Sequence, residues 1–281
     1  MYLKLLRVKH YIKNLLIFFP LIFSLNVFEP LKFWATVLGF LAFSLLASVV
    51  YILNDVQDRE EDKKHETKRH RPLATGAISV KKALLIATLM GLLAIAFTLL
   101  LWAVKERAEI FLFFLLYLVN NLLYTWRLKR IPLLDVGSIA AGFLLRVLFG
   151  AAIIGTTVSP FLYLTILTGA FYFGFGKRLG EYRQAAKRQV LKRYCASFLE
   201  KNMTLCLGLT LVFYGLWALQ LGDDYLILKV TLPLILLMFM RYQLLIERGS
   251  DGDPIEVVWR DKWLVSSAFG YATILMGLLY V

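Results

Sequence analysis

Apolar residues fall along this chain in blocks long enough to cross a bilayer, which needs about 20 residues each. Nine such blocks can be drawn, near residues 14–28, 33–53, 83–104, 109–126, 133–154, 158–175, 203–221, 225–241 and 263–281. Only helices and closed barrels satisfy their backbone polar groups in lipid, and these blocks lack the period-two alternation of barrel strands. The pattern therefore predicts an all-α, polytopic membrane bundle of nine transmembrane helices. No Ser/Gly-rich linker divides the chain, so residues 1–281 read as a single transmembrane domain.

The polar intervals are unequal. Segments 54–82, 176–202 and 241–262 are long and charged, and the alternate connections are short. With the N-terminus in the cytoplasm, 27 of the 32 Lys and Arg residues fall on the cytoplasmic side. That asymmetry predicts an N-in orientation, and active-site loops 54–82 and 176–202 on the cytoplasmic face. Composition agrees: 59% of residues are apolar, 18% are charged, and the mean hydropathy is +0.68. The net charge of +13 calls for no nucleic-acid partner. Anionic headgroups and phosphorylated substrates account for it. Cys195 and Cys206 carry little information.

The densest chemistry is the run Asn54-Asp55-Val56-Gln57-Asp58-Arg59-Glu60-Glu61-Asp62 at the end of the second block. On a continuous helix Asp55, Asp58 and Asp62 stand at i, i+3 and i+7, on one face shared with Asn54. Carboxylates so close repel unless a positive charge lies among them. Mg²⁺ bridging to a phosphate substrate is the natural candidate, and a solvated charged loop is the bland alternative. Lys64, Lys68 and Arg71 follow at once and suit phosphate oxygens. His65 and His70 lack metal-ligand spacing and read as loop residues.

Other polar groups admit two readings each. Lys177 and Glu181 stand at i, i+4, either as an intrahelical ion pair or, with Arg178, as a holder of a sugar phosphate. Lys187, Arg188, Lys192 and Arg193 suit a membrane surface. Arg146 lies mid-block and should face the bundle interior, because an unpaired charge there costs several kcal/mol. Asp135 precedes it by eleven residues, about 16 Å along one helix face, so both could line one substrate cavity. It is either functional or a first-turn residue favoured by the helix dipole. Lys13 and Asn14 at the mouth of the first block, and Tyr124 and Lys129 at the end of the fourth, are ligand contacts or interfacial anchors.

The run NDVQDREED, followed by K-x-x-x-K-R-x-R-P-L-A-x-G from Lys64 to Gly76, resembles the first aspartate motif of the UbiA-type membrane prenyltransferases. That resemblance implies nine helices and a Mg²⁺-dependent cytoplasmic site, with Asp55, Asp58 and Asp62 as metal ligands. RVKHYIKNLLIFFPLIFS, YTWRLKRIPLLDVGSIAAGFLLRVLFGAA and GKRLGEYR look like the branch that makes decaprenylphosphoryl-phosphoribose. Members of that branch transfer 5-phosphoribose from phosphoribosyl pyrophosphate to a polyprenyl phosphate. Prenyltransferases with aromatic acceptors usually carry a second D-x-x-x-D, whereas here Asp135 has Ile139 four residues on.

The implied reaction needs no general base, because a lipid phosphate is already anionic at pH 7. It needs a neutralised pyrophosphate leaving group and cations to bring two anions together. Lys13, Lys64, Lys68, Arg71, Lys129, Lys177 and Arg178 are available for the second task. Asp135 or Glu181 would steady an oxocarbenium-like ribose C1. The competing readings are a prenyltransferase acting on a small acceptor and a transporter. A transporter would place more charge near the bilayer midplane, where Arg146 stands alone.

Overall fold

The computed structural model describes residues 1–64, 68–184, 188–221 and 226–280. Among them every regular element is helical. His65 and Lys187 lie outside the described residues. Eight long helices carry the fold: α1 (Pro30–Gln57), α2 (Val80–Lys105), α3 (Ala108–Trp126), α4 (Leu134–Ile154), α5 (Pro160–Arg183), α6 (Ala196–Leu219), α7 (Leu226–Glu247) and α8 (Lys262–Tyr280). Seven of these are long and apolar enough to cross a membrane, α5 being the exception. Four glycines and a charged last turn lower the apolar average of α5.

The helix starts follow local chemistry. Pro30 and Pro160 occupy first-turn positions, where the missing N–H costs nothing. The Ser79 and Ser159 hydroxyls accept from the Lys82 and Leu162 amides, at 3.3 and 3.2 Å. The α2 helix is apolar on all sides and keeps Leu85, Leu89, Leu92 and Val104 outward, each more than half exposed. An isolated soluble domain would bury such a stripe; a helix bathed in lipid has no reason to.

The residues cluster into two compact units. The first comprises residues 1–126 and 145–157 and packs Phe43, Leu46, Val50, Phe114, Tyr117, Phe149 and Ile153 at its centre. Its N-terminal segment departs from the span expected at residues 14–28. Val8–Phe18 is an eleven-residue 3₁₀ helix, followed by the short α-helix Phe19–Phe23. At three residues per turn, Tyr11, Asn14 and Ile17 share one face. Tyr11 meets the Ser48 hydroxyl at 2.7 Å, and the Asn14 amide donates to Ser44 at 2.9 Å. Ile17 lies so close to α4 that a β-carbon on Gly150 would fall 2.1 Å from its carbonyl oxygen.

The second unit comprises residues 127–144 and 158–281. Its core gathers Tyr172, Phe175, Leu179, Val190, Leu199, Met203, Tyr242 and Ile246, chiefly from α5, α6 and α7. Buried hydroxyls find partners there: Tyr172 donates to the Phe239 carbonyl at 2.7 Å and Tyr242 to the Gly252 carbonyl at 2.8 Å.

Candidate active site

Two clusters of charged side chains stand out, one in each unit. In the first, α1 ends at Gln57, Asp58 takes a non-helical conformation at φ −88° and ψ 5°, and a new short helix runs Arg59–Lys63. The continuous helical face expected through residue 62 is therefore broken at Asp58. Asp55 and Asp62 still converge, because one guanidinium joins them. Arg71 Nη1 donates to Asp55 Oδ1 at 3.0 Å and to Asp62 Oδ2 at 2.6 Å. Arg7 also donates to Asp55 Oδ1, and its guanidinium lies 4.9 Å from the Tyr51 ring centre. Both carboxylates are buried. Arg71 is the guanidinium the two carboxylates share, and its charge offsets part of their mutual repulsion.

The donor set is purely anionic oxygen, which suits a hard cation. Among the described residues, no group of three His, Cys, Asp or Glu side chains converges to hold a metal by itself. Mg²⁺ does not require one, since it commonly binds through one or two carboxylates plus water and substrate phosphates. Asp55 and Asp62 fit that role, with Asp58 half-buried at the break between them. Asn54 precedes Asp55 and is half-buried, as is Lys68 in the Lys68–His70 turn, whereas Lys64 is exposed beside Lys63.

Asn14 and Arg146 come together elsewhere in the first unit. Arg146 Nε donates to Asn14 Oδ1 at 2.8 Å, and Nη2 donates to the Tyr117 hydroxyl at 2.9 Å. The guanidinium lies 4.8 and 5.5 Å from the Tyr117 and Phe43 ring centres. Arg146 thus faces the interior as its mid-block position requires, and it forms a polar node in an aromatic core. Lys13 and Tyr124, also in this unit, are half-buried.

The second cluster is built on the last turns of α5. Arg178 has a fully buried side chain; Nε donates to Asp135 Oδ2 at 2.5 Å and Nη1 to Glu181 Oε2 at 2.7 Å. Asp135, in the first turn of α4, also accepts from the Tyr194 hydroxyl at 2.7 Å. Tyr194 itself accepts from the Leu133 amide at 2.6 Å. Burial and the adjoining Asp135 raise the Tyr194 phenol above its usual range, so it stays a donor. Burial pushes the Glu181 carboxyl up, but Arg178, Arg188 and Lys177 outweigh it and hold the group below its ordinary value.

The i, i+4 pairing of Lys177 with Glu181 is replaced. Glu181 turns to Arg178 and to Arg188, at 3.4 Å, and Lys177 Nζ meets Asp253 Oδ2 at 2.6 Å. Arg188 therefore joins the cluster, whereas its sequence context suits a surface patch. Lys129 is half-buried in the Leu128–Arg130 turn of the same unit. Arg7, which opens the RVKHYIKN run, completes the first cluster, and Tyr194 and Asp253 complete the second without a sequence signal that singles them out. The Asp-Pro pair at 253–254, a helix-start signature, is the nearest to one.

The family model described as the UbiA prenyltransferase family matches residues 15–279. A decaprenyl-phosphate phosphoribosyltransferase of Mycolicibacterium smegmatis is 31% identical over 241 residues, covering 80% of this chain and 74% of that protein. One from Corynebacterium glutamicum is 28% identical, covering 99% of this chain and 86% of its own length. Among solved structures, a UbiA homolog from Archaeoglobus fulgidus bound to GPP and Mg²⁺ has the same fold. Its TM-score is 0.75 at 22% identity, over 98% of this chain and 99% of that one. With seven helices fit to cross a bilayer and a match that runs nearly end to end, this chain is an integral-membrane transferase and belongs to the UbiA prenyltransferase family.

Proposed function

We propose that this enzyme transfers 5-phosphoribose from phosphoribosyl pyrophosphate to a polyprenyl phosphate of the decaprenyl type, releasing pyrophosphate. The observation that carries the reading is the unlike chemistry of the two clusters. The first offers buried carboxylates, Asp55 and Asp62, fit for a metal that binds pyrophosphate. The second offers Lys177, held by Asp253 with 28% of its side chain exposed and fit for a phosphate oxygen, and a buried Arg178 fixed by Asp135 and Glu181. A prenyltransferase with two D-x-x-x-D metal sites would place a carboxylate pair for metal in both, whereas here Asp135 has Ile139 four residues on. The relatives named as decaprenyl-phosphate phosphoribosyltransferases, aligned over most of the chain, point the same way.

In this scheme an oxygen of the lipid phosphate forms a bond to ribose C1, and the bond from C1 to the pyrophosphate oxygen breaks with its electron pair on the leaving group. Bound Mg²⁺ would supply charge neutralisation for that leaving group. Asp55, Asp62 and Asp58 would hold it. Arg7 and Arg71, already on these carboxylates, are placed to share the phosphate charge. Glu181 keeps 18% of its side chain exposed, against none for Asp135. Glu181 is thus the carboxylate able to steady positive charge at C1, and Asp135 holds Arg178. The acceptor already bears its charge, so the chain supplies no general base.

The same reading places nine transmembrane segments in the plasma membrane, with the N-terminus and both clusters on the cytoplasmic side. Lys13, Lys64, Lys68 and Lys129 are the further cations for the two anionic substrates. The test supplies purified enzyme with labelled phosphoribosyl pyrophosphate, polyprenyl phosphate and Mg²⁺. Labelled lipid and stoichiometric pyrophosphate are expected. Label entering product only from a prenyl diphosphate donor would overturn the assignment in favour of prenyl transfer.

A further inference from the structure

The carboxylate that holds Lys177 comes from 76 positions away, and its surroundings are built to keep it there. Asp253 uses its two oxygens separately. Oδ1 accepts from the Ile255 amide at 3.1 Å and caps the helix Pro254–Arg260, and Oδ2 meets Lys177 Nζ at 2.6 Å. The preceding backbone rests directly on α5. A β-carbon on Gly180 would fall 2.5 Å from the Asp251 carbonyl carbon. One on Gly252, at φ +71°, would fall 2.5 Å from the Gly176 carbonyl oxygen. Gly176 and Gly180 are one helical turn apart, so α5 presents a flat strip to this loop. From α7, the buried Tyr242 hydroxyl donates to the Gly252 carbonyl at 2.8 Å and pins the loop from another side.

An ordinary surface ion pair between two flexible side chains stabilises little and needs no such support. Here a glycine strip, a left-handed glycine and a buried tyrosine fix the carboxylate, and the carboxylate fixes one amine. The Lys177 side chain keeps 28% of its surface exposed, so the ammonium stays within reach of a ligand. We propose that Asp253 is a positioning residue, which holds Lys177 Nζ in one place to receive a phosphate oxygen of the substrate. This rests on the phosphoribosyl-transfer reading for the identity of the ligand, and on geometry alone for the part Asp253 plays.

The experiment uses the full-length enzyme in detergent and the variants D253N and D253S. Asn and Ser both cap helices well, so Pro254–Arg260 should persist and the thermal midpoint should stay near wild type. Loss of the charged partner should raise KM for phosphoribosyl pyrophosphate about tenfold, with kcat falling much less. Lys177 should also react faster with an amine-acylating reagent, read by mass spectrometry of its peptide. Inorganic pyrophosphate should protect Lys177 in the wild type and require about ten times the concentration in D253N. Unchanged Lys177 labelling and unchanged KM in both variants would overturn the proposal. So would a fall in kcat that only tracks lost thermal stability. Protection by pyrophosphate with no turnover of phosphoribosyl pyrophosphate would uphold the Asp253 role and overturn the substrate assignment instead.

Discussion

Arg178 Nε donates to Asp135 Oδ2 at 2.5 Å, and neither side chain has any exposed surface. Taking two charges out of water costs several kcal/mol each, which mutual attraction recovers only if the remaining hydrogen-bonding capacity is filled. It is: Tyr194 takes the other Asp135 oxygen, and Glu181 takes a second guanidinium nitrogen. Removing one partner strands the other. D135A should cost about 3–5 kcal/mol, seen as a lowered thermal midpoint in detergent, and R178M should cost a similar amount. The double variant D135A/R178M should lose less than the two together. Strict additivity would mean that the pair does not act as a unit.

Arg71 links Asp55 to Asp62 and predicts how the first cluster responds to metal. D55N and D62N keep the shape of each side chain but remove an anionic ligand. Each should lower turnover at least about 100-fold while the protein still folds in membranes. Mg²⁺ should raise the wild-type midpoint in proportion to its binding, by the linkage that stabilises any state a ligand prefers. EDTA should reverse the rise, and neither variant should show it. A Mg²⁺-dependent shift in D55N equal to that of the wild type would remove Asp55 from the metal site.

Much of this arrangement is legible in the residues, and the exceptions share a physical cause. The long helices follow their apolar blocks because burial and lipid contact act on every residue of a block. The α1 helix reaches Pro30–Gln57 where the apolar run alone indicates 33–53, since Pro30 starts a helix without penalty and Asp55 is held by Arg7 and Arg71 at its far end. The 3₁₀ conformation of Val8–Phe18 is not legible. Over eleven residues, periods of 3.0 and 3.6 differ little, and the choice depends on Ser44, Ser48 and Gly150, far along the chain. The same holds for the ion pairs. Helical spacing offers Glu181 to Lys177, but Arg178 competes for that carboxylate and Asp253 arrives through a loop pinned by Tyr242.

Arg146 offers a test of structural against ligand-binding roles in the first unit. It satisfies the Asn14 carbonyl and the Tyr117 hydroxyl inside an aromatic core. R146M would leave both acceptors without their donor, at about 1–3 kcal/mol for each unsatisfied group. R146K should not rescue, because an ammonium cannot reproduce two directed donors and a flat contact with the Tyr117 ring. Both variants should lower the thermal midpoint while KM for each substrate stays near wild type. A large rise in KM with unchanged stability would move Arg146 from the core to the ligand site.

Glu181 makes the second cluster sensitive to acid. Burial alone would raise its pKa, but Arg178, Arg188 and Lys177 together bring it below the ordinary value of 4.5. A carboxyl with a lowered folded-state pKa binds its proton more readily when unfolded. Its stabilising contribution is therefore complete above the ordinary value and fades as pH falls through the folded-state value. Across pH 5–8 the wild-type midpoint should not vary on account of this group. E181Q removes the charge-assisted bond to Arg178 at every pH, so at neutral pH it should be less stable by about 2 kcal/mol. As the wild-type carboxyl becomes protonated in acid, the two proteins should converge. Thermal unfolding in detergent from neutral pH down to about pH 3.5 follows the gap. A gap that stays constant to the acid end would show that the Glu181 charge is not what the three cations hold.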